Sequence, residues 1–143
     1  MDKNILRIKA AKINAKTFGV QDKITFIEGD VMDEKIMLEV KNKGIKAVVT
    51  DVEWREDLSL SLSETTPDIK KTIPETPILY KKLAENLTNN IIMHMAANTN
   101  KKQLQKLGKC EIEEMMYKGT VKFINVYFGK LINKEGVTKF VMD

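Results

Sequence analysis

Apolar positions recur at helical spacing from Asn4 to Phe18. Ile5, Ile8, Ala11, Ala15 and Phe18 lie three or four residues apart, and Gly19 closes the run. This predicts an amphipathic helix. Ile24-Thr25-Phe26-Ile27 is short and β-rich and ends in Gly29-Asp30, which predicts a strand and a turn. Ile36, Met37 and Val40 mark a second helix over 33–43, with Gly44 as its cap. Ala47-Val48-Val49-Thr50 has the continuous character of a strand buried on both faces of a parallel sheet, and it runs into Asp51-Val52-Glu53-Trp54. From Arg55 to Ile73 there is no period, and a stretch of that length has a function or is mobile. A helix is expected over 75–87, started by Pro74 and kinked near Pro77. A buried strand follows at 90–95, then a short helix at 100–107 capped by Gly108. Two strands end the pattern, Cys110 to Tyr117 and Thr120 to Leu131, with Lys118-Gly119 as the hairpin turn.

The order α-β-α-β-α-β-α-β-β predicts an α/β fold with parallel strands, right-handed crossovers and one reversed strand from the terminal hairpin. In open sheets of this kind ligands sit at the carboxyl ends of the strands. Two places therefore invite a chemical reading, Gly29-Asp30 and Asp51 to Trp54, with 52–74 as a substrate-side loop.

Length and charge narrow this picture only modestly. A chain of 143 residues suits one domain, 1–143, with its own core. The lone Cys110 excludes an internal disulfide framework, and no apolar run reaches the roughly 18 residues that span a bilayer, so a cytoplasmic protein is expected. Twenty-four basic against 20 acidic residues favour approach to phosphates without making a polybasic binder. His94 is the only histidine and falls in a strand, where packing is the commoner role. No Cys/His cluster offers a zinc site. Lys70 and Lys71, with Arg55, lie in the proposed loop beside the site, placed to meet phosphates.

Three runs carry a family resemblance. AAKINAKTFGVQDKITFIEGD (10–30) resembles a segment of many nucleic-acid methyltransferases. NLTNNIIMHMAANTNKKQLQKLG (86–108) and CEIEEMMYKGTVKFINVYFGKLI (110–132) complete the set. In this order they are similar to the trimethylguanosine synthase family, RNA cap guanine-N2 methyltransferases with archaeal-type relatives, over about 2–132. The resemblance implies a class I, Rossmann-like fold dependent on S-adenosylmethionine, and methyl transfer to the exocyclic amino group of guanine in RNA. It also implies site residues. Asp30 accepts from the adenine amino group of the cofactor, Val31 offers its backbone N–H to the ring, and Thr50 joins them as cofactor-binding. Asp51 and Glu53 are the implied catalytic residues, Trp54 stacks on the target base, and Arg55 contacts substrate. Read as residues alone, Asp30 is equally a turn or capping aspartate and Trp54 a packing residue. The family shows Ser-Pro-Pro-Trp at the fourth strand. Here Val52 and Glu53 replace both prolines, which predicts a looser loop or a different task for Glu53.

The resemblance also implies a strand with a Gly-x-Gly loop and a second strand ending in a ribose-binding acid. No Gly-x-Gly occurs in the sequence, so the fold is expected to lack its first two strands. With the usual order 3-2-1-4-5-7-6, the Ile24 strand would lose its neighbour and the Ala47 strand would become an apolar edge. Either the Ile24 strand moves beside Ala47, or a second chain or another copy fills the gap. The chain alone is then expected to bind the cofactor weakly and to associate. A split enzyme, a truncated reading of a longer gene, and a non-catalytic RNA-binding or scaffolding remnant all fit these observations.

Overall fold

The Asn4 side chain accepts the Leu6 N–H at 2.9 Å and starts helix α1, Ile5–Thr17. Its end is a Schellman turn: Gly19, at φ 64°, donates to Lys16 O at 3.1 Å, and Val20 donates to Ala15 O at 2.9 Å. Asp33 caps helix α2, Glu34–Lys41, by accepting from the Lys35 and Ile36 N–H groups at 2.7 and 3.3 Å. The structure is a computed structural model that describes residues 1–54 and 68–142. By its contacts the chain forms two units, Met1–Lys43 and Gly44–Asp143, each described by itself.

In the first unit the helical stripe is only partly buried. Ile8 and Ala15 are enclosed, whereas Ile5 is exposed and Phe18 is 79% exposed. The strand expected at 24–27 is no ladder. One parallel bridge joins Glu28 to Asp2, made by Asp2 N to Ile27 O (3.2 Å) and Gly29 N to Asp2 O (3.0 Å). The segment thus pairs with the start of the chain. A ladder needs several consecutive partner residues, and here the partner is Asp2 alone.

The second unit holds a five-stranded sheet in the order β1-β4-β6-β5-β7. Its members are β1 (Val48–Asp51), β4 (Ile91–Ala96), β5 (Cys110–Tyr117), β6 (Thr120–Phe128) and β7 (Gly136–Met142). Strand β1 runs parallel to β4, β6 is antiparallel to both β4 and β5, and β7 is parallel to β5. Lys118 and Gly119 both take positive φ, 48° and 77°, as the two-residue primed hairpin turn requires. Two short strands, β2 (Glu53–Trp54) and β3 (Thr72–Ile73), form a separate antiparallel pair. Helices α3 (Thr76–Asn86) and α4 (Lys101–Gln105) lie between β3 and β4 and between β4 and β5 in sequence. Pro77 sits in the first turn of α3, where its missing N–H costs nothing, so it starts the helix and does not kink it.

Alternation divides the sheet into an inner and an outer face. Ile91, Met93, Met95, Ile112, Ile124, Val126 and Phe128 are almost wholly buried, as are Leu79 and Leu83 of α3 and Leu104 of α4. Cys110 is buried here too, and burial pushes its thiol above the usual range, which suits packing and not reactivity. The opposite face is half-open. Strand β1 is not buried on both faces as its apolar run suggests, because Val49 is 73% exposed. Among the described residues β1 has only β4 beside it.

Strand β7 was absent from the predicted pattern. What anchors it is a buried carboxylate. Glu111, 6% exposed, accepts the Asn133 and Lys134 N–H groups at 2.8 and 3.0 Å and the Thr138 hydroxyl at 2.9 Å. The Lys134 N–H above all, then the Asn133 N–H, the Thr138 hydroxyl and the Lys134 charge, hold its carboxyl below the ordinary range against the opposing effect of burial. A depressed folded-state pKa means that this stability is present above the unfolded value and disappears as pH falls through the folded one. Glu111→Gln is therefore expected to be about 1.5–3 kcal/mol less stable than wild type near neutral pH. The gap should close as pH falls below about 4. Urea titrations at several pH values measure this, and a gap independent of pH would contradict it.

Candidate active site

The parallel strands bring their carboxyl ends to one edge of the sheet, and β1 ends there in Asp51. Asp51 is exposed. Its Cα is in register with His94 of β4, which is in register with Asn125 of β6, then Glu113 of β5 and Thr138 of β7. One polar row thus crosses all five strands on the half-open face. Within it His94 is bonded to Asn125, while Glu113 and Thr138 are bonded to Tyr127 and Glu111 of the next row. His94 Nδ1 lies 3.1 Å from Asn125 Oδ1, and its ring packs against Phe123 with centroids 4.5 Å apart. The Tyr127 hydroxyl donates to Glu113 at 2.6 Å. Burial, and then the Glu113 carboxylate, push Tyr127 up to about 12, so it stays a donor at neutral pH. His94 is thus a bonded, packed side chain whose register places it beside Asp51. No local sequence signal marks that adjacency, because it depends on how β1 and β4 align.

The backbone after Asp51 is held without prolines. Val52 is buried, and β2 then pairs Glu53 with Ile73 and Trp54 with Thr72. The buried Thr72 hydroxyl accepts the Thr76 N–H at 2.8 Å and lies 2.9 Å from Ile69 O, which ties β3 to the start of α3. Upstream, Gln103 of α4 accepts the Ile69 N–H and donates to Asp68, both at 3.1 Å. Where the two prolines are replaced, Val52 is thus enclosed and Glu53 is laddered to Ile73. Of the 52–74 segment these are the described parts, and Arg55 lies outside the described residues.

The residues expected at the cofactor fall in different places. Thr50 is half-buried, in register with Met93, and by alternation lies on the opposite face from Asp51. Asp30, in the first unit, is exposed, and its Oδ1 accepts the Met32 N–H at 2.8 Å, so it makes the turn that its residue type predicts. A carboxylate has several lone pairs, and this one bond leaves capacity for a ligand amino group. Val31 follows in the turn, half-buried. A Cβ at Gly29 would lie 2.8 Å from Ile36 Cδ1 of α2, so a larger residue there would displace the Ile36 side chain.

A sheet of this order, with its reversed strand β6 between β4 and β5 and a carboxylate at the tip of β1, is a Rossmann-like α/β methyltransferase fold. Residues 1–131 match the RNA cap guanine-N2 methyltransferase family, and the chain belongs to that family. The match ends before β7. No helix among the described residues is long and apolar enough to cross a membrane.

Proposed function

We propose that this chain carries the target-binding side of a cytoplasmic RNA methyltransferase that modifies the exocyclic amino group of guanine. The observation behind the reading is the acidic tip of β1 followed by a ladder-held Glu53-Trp54, within a chain of the guanine-N2 family. Asp51 accepts a hydrogen bond from the guanine amino group and aims its lone pair. An exocyclic guanine amine has little basicity, so this alignment is the main contribution. Trp54 stacks on the base, and Arg55 meets a phosphate or the base edge. Asp51 or Glu53 takes the proton that the nitrogen sheds once its new bond to carbon forms.

The residues present fit one end of S-adenosylmethionine. The exposed Asp30 carboxylate suits the adenine amino group, with Val31 beside it. When bound, that cofactor supplies an electrophilic methyl group on a sulfonium sulfur. None of the seven glycines forms a Gly-x-Gly loop for its methionine end. Among the described residues β1 is an edge strand, which suits pairing with a further strand. The test uses the protein isolated from its source with any accompanying chain, given methyl-labelled S-adenosylmethionine and guanine-containing RNA. Label recovered as N2-methylguanosine is the expected result. Label on another atom would overturn the guanine-N2 assignment. No label, with RNA still bound, would leave the chain a non-catalytic RNA-binding member of its family.

A further inference from the structure

A second exposed group on the same sheet edge is not used by the site above. Strand β5 runs with β4 and β1, since β6 is antiparallel to both β4 and β5. Its carboxyl end, Tyr117, therefore leaves the edge that carries Asp51. Alternation along β5 places Tyr117 on the face of Glu113, which the register continues through Asn125 and His94 to Asp51. Tyr117 is 37% exposed, and Lys118 and Lys122 are exposed as well. Their ammonium groups stand 5.3 and 5.9 Å from the Tyr117 ring centroid.

The placement of Lys122 comes from the backbone. Pairing passes from Met115–Phe123 to Met116–Val121, so Lys122 is the extra residue of a β-bulge. Bulges redirect a side chain, and this one brings a second lysine to the ring beside the turn lysine. Among the described residues neither lysine is in an ion pair, whereas Lys101 is held by Glu114 at 2.8 Å. An exposed aromatic ring with two unneutralised ammonium groups matches a nucleotide of single-stranded RNA, with the base on the ring and phosphates on the lysines.

We infer that the hairpin tip, Tyr117, Lys118 and Lys122, is a second RNA contact, for the single-stranded stretch flanking the target guanine. The inference rests on the reading of Asp51 to Trp54 as the target site. Tyr117 is three strands across from Asp51 and four residues farther along than Glu113, a separation of roughly 20 Å. This places the contact several nucleotides along the strand from the methylated base. Each lysine leaves the ring for a phosphate as a base enters, because an exposed cation–π contact is weak.

The test is RNA binding by the 143-residue chain, which needs no cofactor. Fluorescence anisotropy is followed across a salt series, with single-stranded RNAs that carry one guanine and flanks of about eight or about two nucleotides. Lys118→Asn keeps the positive φ of the turn and removes the charge. Paired with Lys122→Gln, it should flatten the slope of log affinity against log salt by about 1.4, and weaken the long RNA roughly 10- to 30-fold at about 0.1 M salt. Tyr117→Leu should weaken it at least fivefold with the slope retained. The short RNA should not distinguish any variant from wild type. Unchanged affinity and slope in the lysine variant would overturn the inference, as would a wild-type chain that binds neither RNA. Equal losses on long and short RNAs would also overturn it. The labelling experiment separates the two readings, since a failed guanine-N2 assignment leaves these salt slopes unaffected.

Discussion

Replacing Gly129 with alanine is expected to cost the fold about 3 kcal/mol. Gly129 ends β6 at φ 68°, a region that costs a residue with a Cβ about 1–2 kcal/mol. Its surroundings add to that cost. A Cβ would lie 2.5 Å from Asn89 O and 2.8 Å from both Asn89 C and Asn90 Oδ1. The first two atoms are backbone and cannot rotate away. Asn90 is no freer, because its side chain accepts the Lys130 N–H at 2.9 Å and donates to Lys46 O at 3.0 Å. Its own carbonyl accepts the Val48 N–H at 2.9 Å. The added methyl therefore pushes on the segment that joins the starts of β1 and β4 to the exit of β6. Gly44→Ala is the control, since Gly44 has a similar φ of 66° with nothing within 4 Å of its Cβ position. Urea unfolding of both variants isolates the clash. A Gly129→Ala midpoint equal to that of Gly44→Ala would show that Asn89 yields easily.

The second large effect concerns Asp51. Asp51→Ala is expected to lower the rate of methyl transfer roughly 100-fold or more, the usual cost of losing alignment at a reacting centre. RNA affinity should change little, because Asp51 is a single exposed group at the end of β1. Asp51→Asn distinguishes the two roles open to the carboxylate. An amide oxygen still accepts a hydrogen bond but is a very poor proton acceptor. Substantial activity in Asp51→Asn assigns Asp51 to orientation and leaves the proton to Glu53. Loss equal to that of Asp51→Ala assigns the proton to Asp51. The measurement is single-turnover methyl transfer by the complete enzyme, and an Asp51→Ala rate within threefold of wild type would remove Asp51 from the site.

Much of the local structure is decided by neighbours in sequence. Asn4 and Asp33 cap their helices, Gly19 closes α1, and Lys118-Gly119 turns the hairpin, each through contacts within about five residues. The strands at 91–96, 110–117 and 120–128 follow from their alternation, and the family is legible in three runs of residues. Tertiary structure decided what depends on pairing. Glu28 has a single bridge partner in Asp2, so an apparent strand is only an extended segment. Strand β7 is held by Glu111, 22 to 27 residues away from the groups it binds. The β1–β4 register sets His94 opposite Asp51, and a one-residue bulge redirects Lys122. Caps and turns are short-range bonds that a few residues specify. Register, edge position and the neighbours of the carboxylate at the end of β1 are long-range choices, fixed only when whole strands align and bury one face.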